Sequence, residues 1–209
     1  MNICSKRKDA SRRKKIEDLR FKIAWIANLK SLIFILLLLA ACNSVDPVVK
    51  IGLVAPFEGE NRAIGYDTIY AARLAVREVN AAGGIGGYRL ALVALDDGGE
   101  NELAQETAKS LLIDPGVVAV IGHWLPQTTA VSSPIYQQAH LPLIPVGSPP
   151  FTRTNPSLLS PEFHAAYAAV TPFDETSGEF SAASYHAFHF VAQALEIAEQ
   201  TNGNITREG

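Results

Sequence analysis

Val48-Val49-Lys50-Ile51-Gly52-Leu53-Val54-Ala55-Pro56 is β-branched and nearly continuously apolar. That is the pattern of a strand covered on both faces, not of one with a wet side. A Gly-containing loop, 57–65, follows. From Tyr66 to Asn80 the apolar positions Ile69, Ala72, Val76 and Val79 recur at helical spacing, while Arg73, Arg77 and Glu78 fall largely on other faces, which predicts an amphipathic helix. The alternation then repeats. Arg89 to Leu95 reads as a second strand ending at Asp96 and Asp97, and Ala104, Ala108, Leu111 and Leu112 mark a second helix stopped by Pro115 and Gly116. Val117 to Ile121 is a third strand running into Gly122. Thr128 to Gln138 is a third helix, in which Pro134 is expected to be tolerated only in a first turn. Leu141 to Val146 is a fourth strand ending in Gly147 and Ser148.

Strands alternating with helices through short loops predict an α/β fold, a three-layer parallel sheet with helices on both faces. A ligand site is then expected at the carboxyl ends of the strands. The glycines at 83, 84, 86 and 87 follow a helix and precede a strand. A dinucleotide-binding glycine loop has the opposite order, so these read as a helix stop and a turn. Pro149 to Pro161 lacks apolar periodicity and reads as loop. Beyond it, Phe180 to Gln200 carries the longest helical pattern, with Ala187, Val191, Ala194, Leu195 and Ala198 on one face and a stop at Asn202 and Gly203.

Upstream of the first strand, Leu39, Ala40, Ala41 and Cys42 close an apolar run that begins at Leu32. This ending resembles the lipobox at which bacterial lipoproteins are cleaved and lipidated on cysteine. The stretch before it is basic, as in a leader whose N-terminus stays on the cytoplasmic side. Residues 1–41 are therefore expected to be a lipoprotein signal peptide and Cys42 the lipidation site, which ties the protein to the outer side of the membrane. An uncleaved signal anchor reaching back to Phe21 is a competing reading, weakened by Lys22 and Lys30. Ser11, Arg12 and Arg13 also suggest a twin-arginine leader, although the apolar run begins far downstream.

Ten of the 18 Lys and Arg residues but only three of the 21 Asp and Glu residues precede Cys42, so the remainder carries a formal charge of −10. An acidic balance of this size repels phosphate polyanions, and no nucleic-acid partner is expected. Cys4 leaves with the leader, and a single cysteine supports neither a disulfide nor a thiolate metal site within one chain. The 168 residues from Cys42 onward suffice for one compact domain burying about two-thirds of its unfolded surface.

Residues Lys50 to Gly147 resemble the first lobe of the branched-chain amino-acid binding family, the type I periplasmic binding proteins that serve ABC importers. The resemblance rests on Ile51 to Gly65, on Asn80-Ala81-Ala82-Gly83-Gly84-Ile85-Gly86-Gly87, on Asp96-Asp97 and on Val120-Ile121-Gly122-His123. Gly178, Phe180, Ser181, Ala182, Tyr185 and Ala187 resemble a segment that comes much later in the family, after the chain has built a second lobe and returned to pack on the first. The resemblance thus implies that residues 42–148 are the first lobe, 149–161 the loop at an apparent deletion of lobe two, and 162–209 the returning helical segment, which stops before the family's final part. It further implies capture of a small, amino-acid-like solute, an ABC permease as partner, no cofactor and no enzyme activity. A micromolar site needs about 8 kcal/mol; with half the contacts gone, about 4 kcal/mol and millimolar affinity remain.

In amino-acid binders of the family, hydroxyls and backbone amides after the third and fourth strands hold the ligand's charged groups. The resemblance carries this role to Trp124, Gln127, Thr128, Thr129, Gly147 and Ser148. A helix beginning near Thr128 suits a carboxylate because its free N–H groups and its dipole favour an anion; a helix-capping role for Thr128 or Thr129 is the plainer alternative. Pro126 and Pro149 stand where the family commonly has hydroxyl residues, which places α-amino-acid specificity in question. Trp124 stacks on a ligand or packs in the core, and for Ile64, Tyr66 and Phe180 a core role competes with one in the cleft. His164, His186 and His189 lack the companions of a metal site, so none is expected. Asp96 and Asp97 are read as caps of the next helix. No Gly-x-Ser-x-Gly elbow occurs. A lipid-anchored interaction or sensor module is the alternative function, and a large apolar patch at the strand ends is its expected mark.

Overall fold

The computed structural model describes residues 46–173 and 175–207, together with Trp25 upstream. The leader assigned to residues 1–41 lies outside the described residues apart from that one position, and Cys42 lies outside them too. Among the described residues no helix is long and apolar enough to cross a membrane.

Four parallel strands, β1 (Val48–Ala55), β2 (Arg89–Asp96), β3 (Val117–Ile121) and β4 (Leu143–Ile144), form one sheet in the order β2-β1-β3-β4. Helices α1 (Arg62–Ala81), α2 (Asn101–Ile113) and α3 (Pro126–Gln138) connect them, and a short 3-10 turn (Pro156–Leu158), α4 (Pro161–Ala168) and α5 (Ser181–Asn202) follow. β1 occupies the middle of the sheet because both of its faces are apolar. Val49, Ile51, Leu53 and Ala55 join the cluster made with α1 and α5, whereas Val54 faces α2 and α3 through Leu111, Val120 and Tyr136. Gly52 admits Leu111 to that second face: a Cβ there would lie 3.0 Å from Leu111 Cδ1.

Two elements depart from the sequence expectation. The third helix begins at Pro126, two residues early, because proline suits the first helical position, where its missing N–H is no loss. Pro134 consequently lies in the helix interior instead of a first turn. Pro134 and Ala130, whose carbonyl it leaves without a helical donor, are both exposed, so the missing bond falls on the solvent side of the helix. The fourth strand is only two residues long, since Pro142 and Pro145 flank it without N–H groups for a ladder.

The glycine run forms a turn. Gly86 and Gly87, at φ 54° and 85°, join Ile85 to Tyr88 across an antiparallel bridge, a two-residue connection that needs left-handed conformations. Asn80 then stands in for a strand neighbour, donating to the Leu90 carbonyl at 2.8 Å and accepting from its N–H at 2.9 Å.

The α5 segment is fastened to α1 through Asp67. This carboxylate accepts from the backbone N–H of Gly178 (2.8 Å) and Phe180 (2.6 Å) and from the Tyr167 hydroxyl (3.3 Å). Ser184 adds a hydroxyl bond to the Thr68 carbonyl at 2.9 Å. An acid at the head of α5 also complements the helix dipole. Burial pushes the Asp67 carboxyl above its ordinary value, against the opposing pull of the bonds from Gly178, Phe180 and Tyr167.

Two predictions follow from these contacts. Asp67→Ala leaves two half-buried N–H groups without their acceptor and should cost about 1–3 kcal/mol in urea unfolding. Because the folded carboxyl holds its proton more tightly than the unfolded one, Asp67's contribution is largest below about pH 4 and declines as pH climbs through the raised folded value. The stability difference between wild type and Asp67→Asn should therefore shrink with rising pH across that interval. The second concerns Gly122, at φ 143°, where a Cβ would lie 2.3 Å from the Val54 carbonyl oxygen. Gly122→Ala should lower stability by about 2 kcal/mol or more, measured by thermal unfolding.

Candidate functional site

The parallel arrangement gathers four loops at one edge of the sheet, following Ala55, Asp96, Ile121 and Ile144. Acidic side chains at the end of β2 hold these loops together. Asp96 accepts from the backbone N–H of Phe57 (2.7 Å) and Gly98 (2.9 Å), tying the loop after β1 to the loop after β2. Asp97 accepts from Gly99 N–H at 3.0 Å with one oxygen and meets His123 Nδ1 at 2.7 Å with the other. The pair is fully buried, and His123 Nε2 lies 3.2 Å from the Tyr136 hydroxyl. Burial, and then the charge of Asp97, raise the Tyr136 phenol far above its ordinary range. These acids brace loops instead of capping α2, whose N-cap is Glu100. His123 is likewise a brace, closed to solvent and to any ligand.

The two threonine hydroxyls anticipated for ligand binding are occupied. Thr128 Oγ1 donates to the Leu125 carbonyl at 3.0 Å, and Thr129 Oγ1 is 2.8 Å from the His123 carbonyl and 3.0 Å from that of Leu125. Neither residue is the N-cap, which is Leu125. Thr128 is buried, and Gln127 is exposed.

Two cavities open at the strand ends, one on each side of Trp124. The first, about 330 Å³, is lined by Trp124, Pro126, Thr129, Ala130 and Pro145 to Ser148, so Trp124, Thr129, Gly147 and Ser148 are brought together while Gln127 and Thr128 are not in its wall. The second, about 410 Å³, is lined by Glu60, Asn61, Ala63, Ile64, Trp124, Leu125, Gly147, Arg153 and Phe180. Trp124 is 4% exposed and meets the Phe180 ring edge-on, with centroids 5.8 Å apart. The Gly147 N–H is spent on the Phe151 carbonyl at 2.8 Å. Ile64 and Phe180 do face this cavity; Tyr66 does not line it.

Glu60, Asn61 and Ala63 fall within Ile51 to Gly65, the first strand and ligand loop of the family resemblance, without being singled out there, and Arg153 lies outside every anticipated ligand segment. The first three flank the start of α1, whose N-cap Asn61 makes no side-chain capping bond and whose first turn carries no acid, the Arg62 and Ile64 N–H groups being bonded to the Gly59 and Asn61 carbonyls. Arg153 comes from the loop beyond β4 and makes only a 3.7 Å contact with Glu179, both side chains being at least half exposed, so the pair contributes little and leaves the guanidinium available. A larger cavity, about 690 Å³, runs along β4 from Leu141 to Pro145. It follows the open edge of the sheet, and its one cation, Arg207, is engaged with the carbonyls of Leu111, Leu112, Asp114 and Val117. The strand-end cavities are therefore the better site. No group of three or more His, Cys, Asp or Glu residues suited to a metal ion occurs among the described residues.

An amino acid binding protein of Pseudomonas aeruginosa is 34% identical over 53% of this chain and 28% of its own length. A leucine-specific-binding protein of Salmonella typhimurium is 32% identical over the same shares. A branched-chain amino acid transporter substrate binding protein from Streptococcus pneumoniae, solved with isoleucine, is 34% identical over 47% of this chain and 28% of that one, with a TM-score of 0.45. The matched part of the chain thus spans little more than a quarter of these relatives. Residues 48–171, over half of the chain, match the periplasmic binding protein family, and the chain belongs to that family, whose members are solute-binding proteins and not enzymes.

Proposed function

We propose that this protein is an extracytoplasmic, lipid-anchored solute-binding component of an ABC importer for branched-chain amino acids or related small solutes. The observation that carries the reading is the pair of cavities at the carboxyl ends of the strands, where an open parallel sheet receives its ligand. Family membership and the relatives named for amino acid and leucine binding support the solute class. The lipobox-like Leu39 to Cys42 supports the anchor, and the membrane-side partner is then a permease. The sensor-module alternative calls for a broad apolar surface at the strand ends, whereas Ile64 and Trp124 there are buried. Capture of a solute is the better reading.

One wall of a cleft supplies about half of the contacts of an enclosed site, so affinity should be millimolar. Titration of the full chain with leucine, isoleucine and valine, followed by calorimetry, should give saturable binding in that range. Absence of binding at tens of millimolar overturns solute capture; micromolar binding overturns the one-wall account. For the anchor, Cys42→Ser should abolish incorporation of radiolabelled fatty acid and release the protein from the membrane fraction. A Cys42→Ser protein that stays membrane-bound without label identifies an uncleaved signal anchor instead.

A further inference from the structure

A lipid on Cys42 restricts how the domain stands on its membrane. The chain is next fixed to the sheet at Pro47, whose carbonyl accepts from Arg89 N–H at 2.8 Å. Five peptide links join residue 42 to residue 47, and at full extension they reach about 17 Å. β1, eight residues long, then carries the chain about 25 Å further to the loops after the strands. An inverted domain, with those loops on the headgroups, would hold Pro47 farther from the membrane than the tether reaches. The amino edge of the sheet is thus kept beside the lipid, and the domain either stands on that edge or lies on its side.

Charge separates those two postures. At the carboxyl edge Glu58, Glu60, Glu100 and Glu102 are exposed in the loops after β1 and β2, with Arg62 as the cation among them, and Glu179 is matched by Arg153. Anionic lipid repels such an edge. The amino edge is balanced. Lys50 Nζ holds Asp114 at 2.6 Å, which leaves Arg89 and Arg207 against Asp46 and, beside Gly86, Glu199. Among the described residues, exposed Arg89 makes no ion pair. The same edge is bare of packing partners for two apolar side chains: Ile113, the last residue of α2, is 83% exposed, and Val48 is 47% exposed. Apolar side chains beside an unpaired cation are the composition that settles at a headgroup boundary.

Resting on the lipid-anchor reading of Cys42, we propose that the amino edge of the sheet, through Val48, Arg89 and Ile113, is a contact surface for the headgroups of the membrane that holds the anchor. The tether excludes the inverted posture, and the acidic loops oppose the flat one. The domain therefore stands upright on the lipid. Its two strand-end cavities open away from the bilayer, and solute reaches them from the aqueous phase.

Fluorescence quenching in vesicles tests this posture. Cys4 and Cys42 are the chain's two cysteines, so a protein that has lost its leader and carries lipid on Cys42 has no free thiol, and one added cysteine takes a fluorophore at one place. The chain is expressed in full, purified from membranes and reconstituted in phosphatidylethanolamine with a minority of phosphatidylglycerol and of nitroxide-headgroup lipid. Pro115→Cys puts the fluorophore at the amino edge and Asn101→Cys puts it at the carboxyl edge, both at exposed positions. The nitroxide should quench the first several fold more than the second. Arg89→Glu combined with Ile113→Ser, again at exposed positions, should remove most of that difference with the thermal melt unchanged and the protein still in the membrane. Equal quenching at 115 and 101, or stronger quenching at 101, overturns the contact surface while the anchor stands. A double variant quenched like wild type shows that the tether alone holds the edge near the lipid, and it overturns the contact as well. If Cys42 takes up no fatty acid, the anchor and this assignment fall together.

Discussion

The carboxylate of Asp67 is the joint on which the architecture turns. It projects from the second turn of α1 and collects the N–H groups that open α5, from residues more than a hundred positions later in the chain. Removing a carboxylate from water is costly, and part of the cost is offset by the donors around it, two amides and a phenol, at the positive end of a helix. The result is directional. Once Asp67 is satisfied, α5 can lie on the sheet in only one way, and Ala187, Phe188, Val191 and Leu195 come down on the face built by Val49, Ile51 and Leu53. The apolar contact supplies most of the free energy, while the carboxylate selects the register. Tyr167 adds a second tie, donating to the Asp67 backbone carbonyl at 3.1 Å and bringing α4 against Tyr70 and Leu74.

At the end of β2 nearest the start of α1 the same logic produces a rigid floor for the site. Asp96 and Asp97 close the strand β2 and reach sideways to the neighbouring loops, so the ends of β1, β2 and β3 are hydrogen-bonded to one another and not merely adjacent. Gly122 lets β3 turn away under the Val54 carbonyl. His123 then fills the space beneath with a fully buried ring held at both nitrogens. A ligand surface resting on such a floor loses little conformational entropy on binding, which matters most when the contacts are few.

Much of this was legible in the residues. The doubly apolar run from Val48 placed β1 to within one residue, and Gly203 ended α5 as its left-handed conformation requires. α4 escaped notice because eight residues give too few turns for periodicity, and its buried Tyr167 stands alone. Pro134 stands inside the helix because it and Ala130, four residues earlier, lie on its exposed side, where a missing helical bond costs least. The site was harder still. Thr128 and Thr129 carry donor hydroxyls, but which carbonyl each one meets depends on where the helix begins, and a start at Pro126 sets both against the carbonyls that precede them. Arg153 and Asn61 are separated by about ninety positions, and no local pattern relates them; only the sheet topology does.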